Sequence, residues 1–385
     1  MITGAYAPEL SGAGLQCRSL VRRLRDAVDF TVLTTTIRRD LPVVDNDDGI
    51  PIRRVFVDPR SVWSKAAALA RAAGALVQTR RRSSILHLHG FSQKSMLVML
   101  AGLLTGRPSI LKLTSVGHDD PMTMRARGGV AWWFYSRATR FVGVSSALRS
   151  SYEQSGLAPG RFRLIPNGVD TSRFRPASED ERQRLCHELG VPDDGPAVLF
   201  VGFFSREKHP DALFEAWSRL ARSRTDVGPL IFIGATQSTY YEIDAGLAAR
   251  IRRRAAELGL ERRVIFVEQT TRIEEYYRAV RMFVLPSARE GLPNALLEAL
   301  ASGLACVASR LAGVTDDLIE DGVTGRLVPA GDVAAIEAAI SFFLDHPDEM
   351  ETVGRRARAS VMARFSLDDV AAMYAGLYRE LANHA

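Results

Sequence analysis

The chain has 385 residues, 46% of them hydrophobic and 24% charged, with 50 Lys+Arg against 44 Asp+Glu for a formal net charge of +6. That length is long for one core and predicts two domains, and the composition is that of an ordinary globular protein with no low-complexity tract or short repeat. The longest apolar run, Met96 to Leu104, is too short to span a bilayer and is expected to form a buried helix; no basic start followed by an apolar core marks a secretory signal.

Taken in order, apolar runs alternate with helical patterns. "FTVLTT" (30–35), "SILHLHG" (84–90), "SILKLTS" (109–115) and "RFVGVSS" (140–146) read as buried strands, which makes His87 and His89 core or cleft-edge residues. Between them "LQCRSLVRRL" (15–24), "KSMLVMLAGLL" (94–104) and "GVAWWFYSRA" (129–138) read as helices. The stretch "DND" (45–47) has the D-x-D spacing of metal-dependent transferases, but it lies in polar surroundings before Gly49 and Pro51 and reads as a solvated loop. A Pro/Gly/charge-rich interruption at 166–184 reads as a linker. The pattern then restarts with strands at 197–203, 229–235, 263–269, 282–288 and 304–310, and helices at 209–221, 241–259, 273–280 and 294–302. Such alternation implies parallel sheets with crossover helices, whose ligands sit beyond the carboxyl ends of the strands. A last amphipathic helix is expected over 366–382, with Ser366 as its N-cap.

Charge divides with this order. Residues 1–165 carry 24 Lys+Arg and 11 Asp+Glu, about +13, and the remainder carries about −7. Arg22, Arg23, Arg25, Arg38, Arg39, Arg53, Arg54 and Arg80 to Arg82 concentrate the basic character; they fit either solvated faces or a surface for anionic lipid. Nucleic acid is the weaker reading, since no zinc spacing or aromatic–basic interleaving accompanies the charge. Cys17, Cys186 and Cys306 form no metal-type pair and fit a reducing, cytoplasmic setting.

The stretch "REGLPNALLEALASG" (289–303) carries the most chemistry. A strand ends near Pro286, a turn follows, and a helix is expected to start near Pro293 and stop at Gly303. The backbone N–H groups of Gly291, Leu292 and Asn294 are then set to meet an anion, best matched to phosphate; Pro293 contributes none. Glu298, about one turn into an apolar helix, is either a solvated helix residue or has hydrogen-bonding partners, which a ribose diol would supply. Glu290 lies on the other side of the phosphate position. Eight residues of helical rise amount to about 12 Å, more than the about 5 to 9.5 Å between paired glycosidase carboxylates, which argues against a hydrolase and fits either two glutamates on different parts of one ligand or a turn residue and a solvated helix residue.

This stretch resembles the E-x7-E signature of retaining glycosyltransferases, most closely glycosyltransferase family 4. "YAPELSGAGLQCRSLVRRL" (6–24), "GHDDP" (117–121), "RFRLIPNGVDTSRFRP" (161–176), "LFVGFFSREKHPDALFEAW" (199–217) and "GVTGRLVPAGD" (322–332) are similar to other segments of that family, in the same order. The resemblance implies a GT-B fold: α/β, two Rossmann-like domains facing each other across a cleft, with the C-terminal helix packing back on the N-terminal domain. The implied division is an acceptor-binding domain of residues 1–165 plus the C-terminal helix 366–385, a linker of 166–184, and a nucleotide-sugar-binding domain of 185–365.

By the same resemblance, Glu298 holds the ribose hydroxyls, Glu290 touches the donor sugar, and the backbone of Gly291, Leu292, Pro293 and Asn294 lies beside sugar and phosphate. Lys208 occupies the family's diphosphate-gripping lysine position. The family's usual arginine after the glycine is Phe203 here, which leaves Arg206, three residues on, to take that role. Gly12 keeps the second glycine of the family's first-domain loop, Ser11 replacing the first, and lets backbone approach the donor phosphate. His118 is implied to contact the transferred sugar. No metal and no cofactor is expected, only a nucleotide-diphosphate sugar as donor substrate.

The activity implied is retaining transfer of a hexosyl-type sugar to a glycan or lipid-linked acceptor in cell-envelope polysaccharide biosynthesis, such as lipopolysaccharide. It would occur in the cytoplasm, with peripheral contact of the basic N-terminal domain on anionic membrane at the inner face. A nucleotide-sugar epimerase, a phosphorylase on the same fold and a nucleotide-sugar-binding protein without transferase activity are the alternatives. The family also opens on a strand before the "YAPE" loop, and only five residues precede Tyr6, so strand one is expected to be very short or to begin upstream.

Overall fold

The computed structural model describes residues 1–9, 11–78, 84–236 and 243–383. The chain divides into two units, Met1–Gly168 with Leu367–Ala385, and Val169–Ser366. Each is built on its own sheet.

Among its described residues the first unit holds eight strands: β1 (Ile2–Thr3), β2 (Val32–Thr36), β3 (Val44–Asp47), β4 (Ile50–Phe56), β5 (Leu86–His89), β6 (Ser109–Lys112), β7 (Arg140–Gly143) and β8 (Phe162–Leu164). Their order across the sheet is β3-β4-β2-β1-β5-β6-β7-β8, parallel throughout except for the β3–β4 edge hairpin. The first strand is two residues long, paired through Ile2 with Leu33 on one side and Leu88 on the other. His87 and His89 are core residues of β5; their rings stack, and His87 Nδ1 lies 2.7 Å from the Tyr378 hydroxyl. That tyrosine belongs to the C-terminal helix Leu367–Ala382, which lays Val370, Tyr374, Leu377 and Leu381 against Leu20, Leu24 and Val142 of the same unit. Full burial of each such side chain stabilises by about 1.5–3 kcal/mol, which holds the helix to this unit.

The "DND" stretch is not a solvated loop. It is β3, and its carboxylates are occupied: Arg18 grips Asp47 through Nε and Nη2 at 2.8 and 2.9 Å, Arg22 and the Tyr6 hydroxyl join it, and Arg54 pairs with Asp45. The partners lie 9 to 41 residues away, beyond the reach of local pattern.

The second unit holds β9 (Val198–Val201), β10 (Leu230–Ile233), β11 (Val264–Val267), β12 (Met282–Leu285), β13 (Ala305–Ser309) and β14 (Arg326–Val328), ordered β11-β10-β9-β12-β13-β14 and all parallel. Strands buried on both faces read as unbroken apolar runs, which is why these were visible in sequence. Phe200, Phe204, Phe232 and Trp217 fill the core between sheet and helices, and the buried indole of Trp217 donates to the Gly228 carbonyl at 3.0 Å.

Two expectations fail here. The 166–184 stretch is not a free connector. From Val169 onward it belongs to the second unit: Val169 N–H donates to the Phe365 carbonyl, Arg358 reaches the carbonyls of Thr171 and Phe174, and helix Glu179–Leu189 begins inside it. Its turn residues mark local caps, with Asp170 accepting from Ser172 and Arg173, rather than slack chain. The run Met96–Leu104 lies in helix Gln93–Thr105 but is not fully buried; Leu100, Leu103 and Leu104 face outward.

Candidate functional site

In the second sheet the chain steps from β9 through β10 to β11, then returns to lay β12 on the other side of β9. Loops that leave β9 and β12 therefore diverge at their carboxyl ends, and a crevice at such a reversal is where open α/β sheets hold ligands. The segments 202–208 and 286–293 are those two loops.

They are tied together. Ala288 N–H donates to the Glu207 carbonyl at 2.7 Å, and Arg289 pairs with the Glu207 carboxylate at 2.8 Å. Lys208 closes the short 3-10 turn Arg206–Lys208, its N–H bonded to the Ser205 carbonyl, and its ammonium is ion-paired with Glu290. The Glu290 side chain is 9% exposed, so this pair is much better shielded than a surface bridge. Close approach of backbone underlies the turn: a Cβ at Gly234 would stand 2.0 Å from the Gly202 carbonyl oxygen, so β9 and β10 can finish side by side only without one.

The helix after β12 is Asn294–Ala301, one residue later than expected, with Pro293 in the N-cap position, and Gly303 following at φ +74°. Gly291, Leu292 and Pro293 are buried and Asn294 half-buried. Glu298 is half-buried in the middle of this helix. The Tyr277 hydroxyl sits 3.0 Å from its Oε2 and 3.1 Å from the Ala295 carbonyl. Burial pushes the Glu298 carboxyl up to about 7, against the Tyr277 hydrogen bond and the Arg173 guanidinium, which pull it down. Tyr277 is itself fully buried and was missed in the sequence; a buried tyrosine hydroxyl needs an acceptor, but nothing local says it lies 21 residues on.

Lys208 and Glu290 thus meet at the sheet's reversal, while Glu298 occupies the helix behind them. Arg206 does not join them. Its side chain is 89% exposed and faces Asp244 at 3.6 Å. Arg272, in the loop after β11, pairs with Glu188 and Glu275.

Gly12 and His118 belong to the first unit, each beyond the carboxyl end of a strand. Gly12 opens helix Gly12–Leu24, capped by Ser11 Oγ, which accepts from Gly14 N–H at 3.0 Å. His118 is half-buried in the turn after β6. Asp119 fixes that turn by accepting from Thr114 and Ser115, and Asp120 by accepting from Gly117, Thr123 and Ser151. The two aspartates are therefore scaffold, and the histidine is the residue they present.

Two doubly wound sheets in one chain, the second carrying a lysine–glutamate pair at its reversal and a carboxylate in the following helix, define a GT-B glycosyltransferase. The comparisons agree. The model for glycosyl transferases group 1 matches residues 181–360, and that for the glycosyl transferase 4-like domain matches residues 11–168. The chain belongs to glycosyltransferase family 4. An α-maltose-1-phosphate synthase of Mycolicibacterium smegmatis is 28% identical over 403 residues, covering 99% of each chain. A D-inositol 3-phosphate glycosyltransferase of Acidothermus cellulolyticus is 28% identical over 97% of this chain and 86% of its own length. Among solved structures, HepE of Anabaena in complex with UDP-glucose shares the fold with a TM-score of 0.79 at 21% identity, covering 98% of this chain and 99% of its own.

Proposed function

We propose that the chain transfers a hexosyl residue from a nucleoside-diphosphate sugar to a glycan or lipid-linked acceptor with retention of configuration. The observation that carries this is the Lys208–Glu290 pair at the reversal of the second sheet. An arriving diphosphate displaces Glu290 from the ammonium, takes Lys208 as its counter-charge, and frees the Glu290 carboxylate to accept from sugar hydroxyls. The amides that open helix Asn294–Ala301 lie on the same side as the diphosphate. Glu298, steadied by Tyr277, accepts from the ribose diol.

Breaking the anomeric C–O bond moves negative charge onto the diphosphate, where Lys208 stabilises it; Arg206 leaves Asp244 and adds a second guanidinium contact. The acceptor oxygen bonds the anomeric carbon on the face the diphosphate leaves, and its proton passes to a diphosphate oxygen. No covalent sugar–enzyme adduct forms; trapping one on Glu290 refutes the step. Gly12 and His118 are assigned to donor phosphate and transferred sugar. Release of nucleoside diphosphate from a panel of nucleotide sugars, dependent on added acceptor, tests the reaction and separates it from epimerisation and from binding alone.

A second acceptor class is favoured by the relatives' names, which point to an inositol 3-phosphate acceptor and a maltose 1-phosphate product. Sugar and polyol phosphates therefore belong in the acceptor panel beside lipid-linked glycans.

A further inference from the structure

The arginines expected to face anionic lipid are largely spent inside the first unit. Arg22 pairs with Asp47, Arg23 with Asp368, Arg25 with Asp48, Arg38 with Asp40 and Arg54 with Asp45, while Arg53 meets Gln78. Arg80 to Arg82 lie outside the described residues. The unpaired character of the unit is elsewhere.

The crossovers from β4 to β5, β5 to β6 and β6 to β7 all step in one direction along the sheet, so right-handed connection puts their helices on one face. These are Val62–Gln78, Gln93–Thr105 and Gly129–Tyr135, packed side by side in that order. The step from β1 to β2 runs the other way, which puts helix Gly12–Leu24 and its partner Leu367–Ala382 on the opposite face.

The three-helix layer is apolar on its outside. On the first helix Val62, Leu69 and Val77 recur at helical spacing among alanines, and Trp63 beside them is 86% exposed. On the second, Leu100, Leu103 and Leu104 continue the surface, Leu104 at 77%. On the third, Val130 and Trp133 are exposed, and the Arg137 guanidinium stacks 3.7 Å above the Trp133 ring.

The charges set among these side chains have one sign. Between Asp58 and Asp119 the sequence contains no acidic residue. Asp119 and Asp120 are buried and committed to their own turn. Arg60, Lys65, Arg71 and Arg137 are exposed, and none makes an ion pair with a described residue. A protein partner matched to this surface would have to cover apolar side chains and supply every counter-charge. An anionic bilayer does both, taking leucine, valine and tryptophan into the headgroup boundary while its phosphates meet the cations.

We propose that the outer face of Val62–Gln78, Gln93–Thr105 and Gly129–Tyr135 docks on an anionic lipid surface, with Trp63 and Leu104 inserting and Lys65 and Arg71 meeting headgroup phosphates. Docking there brings the chain to a lipid-linked acceptor; it rests on the reading above for that purpose alone, since vesicle binding is measured with neither donor nor acceptor present.

The test is flotation of the full-length chain with vesicles of 7:3 phosphatidylcholine:phosphatidylglycerol and of phosphatidylcholine alone, at low and physiological salt. The expected result is binding to the anionic vesicles, weakened by salt, with a blue shift of tryptophan emission. W63S/L104S and K65E/R71E should each lower the partition coefficient at least tenfold, and W63F should keep binding while losing most of the emission shift. Thermal shift by nucleoside diphosphates should be unchanged in all three variants, which shows them folded and keeps a failure of docking distinct from a failure of donor binding. Equal binding to both vesicle types, or wild-type binding by W63S/L104S, overturns the proposal. So does a concentration-dependent dimer in light scattering that W63S/L104S abolishes, because a second copy would then be the occupant.

Discussion

On the second unit, long basic side chains lie down onto acids: Arg173 on Glu274, Arg175 and Arg278 on Glu181, Arg182 on Asp193, Arg224 on Asp226 and Asp345. Among its described residues Met362 is the one large apolar side chain left exposed. On the first unit, the face formed by Val62–Gln78, Gln93–Thr105 and Gly129–Tyr135 leaves both its cations and its hydrophobes uncovered. Yet the same unit ties Arg18, Arg22 and Arg54 to the aspartates of β3. A count of charge per domain therefore locates a surplus without locating the surface that uses it. The second unit holds a shielded lysine–glutamate pair at the reversal of its sheet, and the first carries an open face.

The largest expected effect sharpens that division. Lys208→Ala removes the cation at the crevice and leaves Glu290 shielded without its partner; kcat should fall about 10²–10³-fold, read as nucleoside diphosphate release, while vesicle binding stays as in the wild type. Next, Glu298→Ala should weaken nucleoside diphosphate binding about 10–100-fold by calorimetry, the loss of hydrogen bonds to a charged acceptor. Unaltered affinity would break the assignment of the nucleoside to this helix.

The titration of Glu298 gives a third. The folded chain keeps this proton up to about pH 7, against 4.5 for an ordinary glutamate. Below both values the group favours neither state. As pH rises through that window the unfolded chain releases the proton that the folded chain still holds, so stability falls by up to about 3 kcal/mol. Glu298→Gln should remove that slope in urea unfolding between pH 5 and 8, and nucleotide binding near pH 6 should release a proton, since the diol favours the carboxylate. Tyr277→Phe should cost a few-fold in nucleotide affinity, about 1 kcal/mol, and move the pH midpoint upward, because the lost hydrogen bond holds the pKa down. Arg206→Ala should be the smallest, about threefold to tenfold in kcat, as befits a guanidinium that starts exposed beside Asp244.

The core of the second unit was legible because "MFVL", "LIFI" and "VIFV" are continuous apolar runs of strand length, and parallel strands covered on both faces have that pattern. The loop of Lys208 and the stretch around Glu290 and Glu298 stood out for a different reason: their residue types and short spacings match a family signature, and the fold brings Lys208 onto Glu290. Helix Glu179–Leu189 was not, since only Leu185 and Cys186 are buried in it and most of the rest is charged. Pairings such as Arg18 with Asp47 and Tyr277 with Glu298 join residues that only the fold brings together. The outward leucines of Gln93–Thr105 misled because an apolar run records the need for cover but not where the cover comes from.

Helix Leu367–Ala382 belongs to the first unit although the whole of Val169–Ser366 is synthesised before it. On the ribosome, Leu20, Leu24 and Val142 must wait, bare, until the helix that covers them has been made. The first unit to begin is sealed only after the second is complete, and a nascent chain stalled before Leu367 is left with a completed second unit and an unsealed first one.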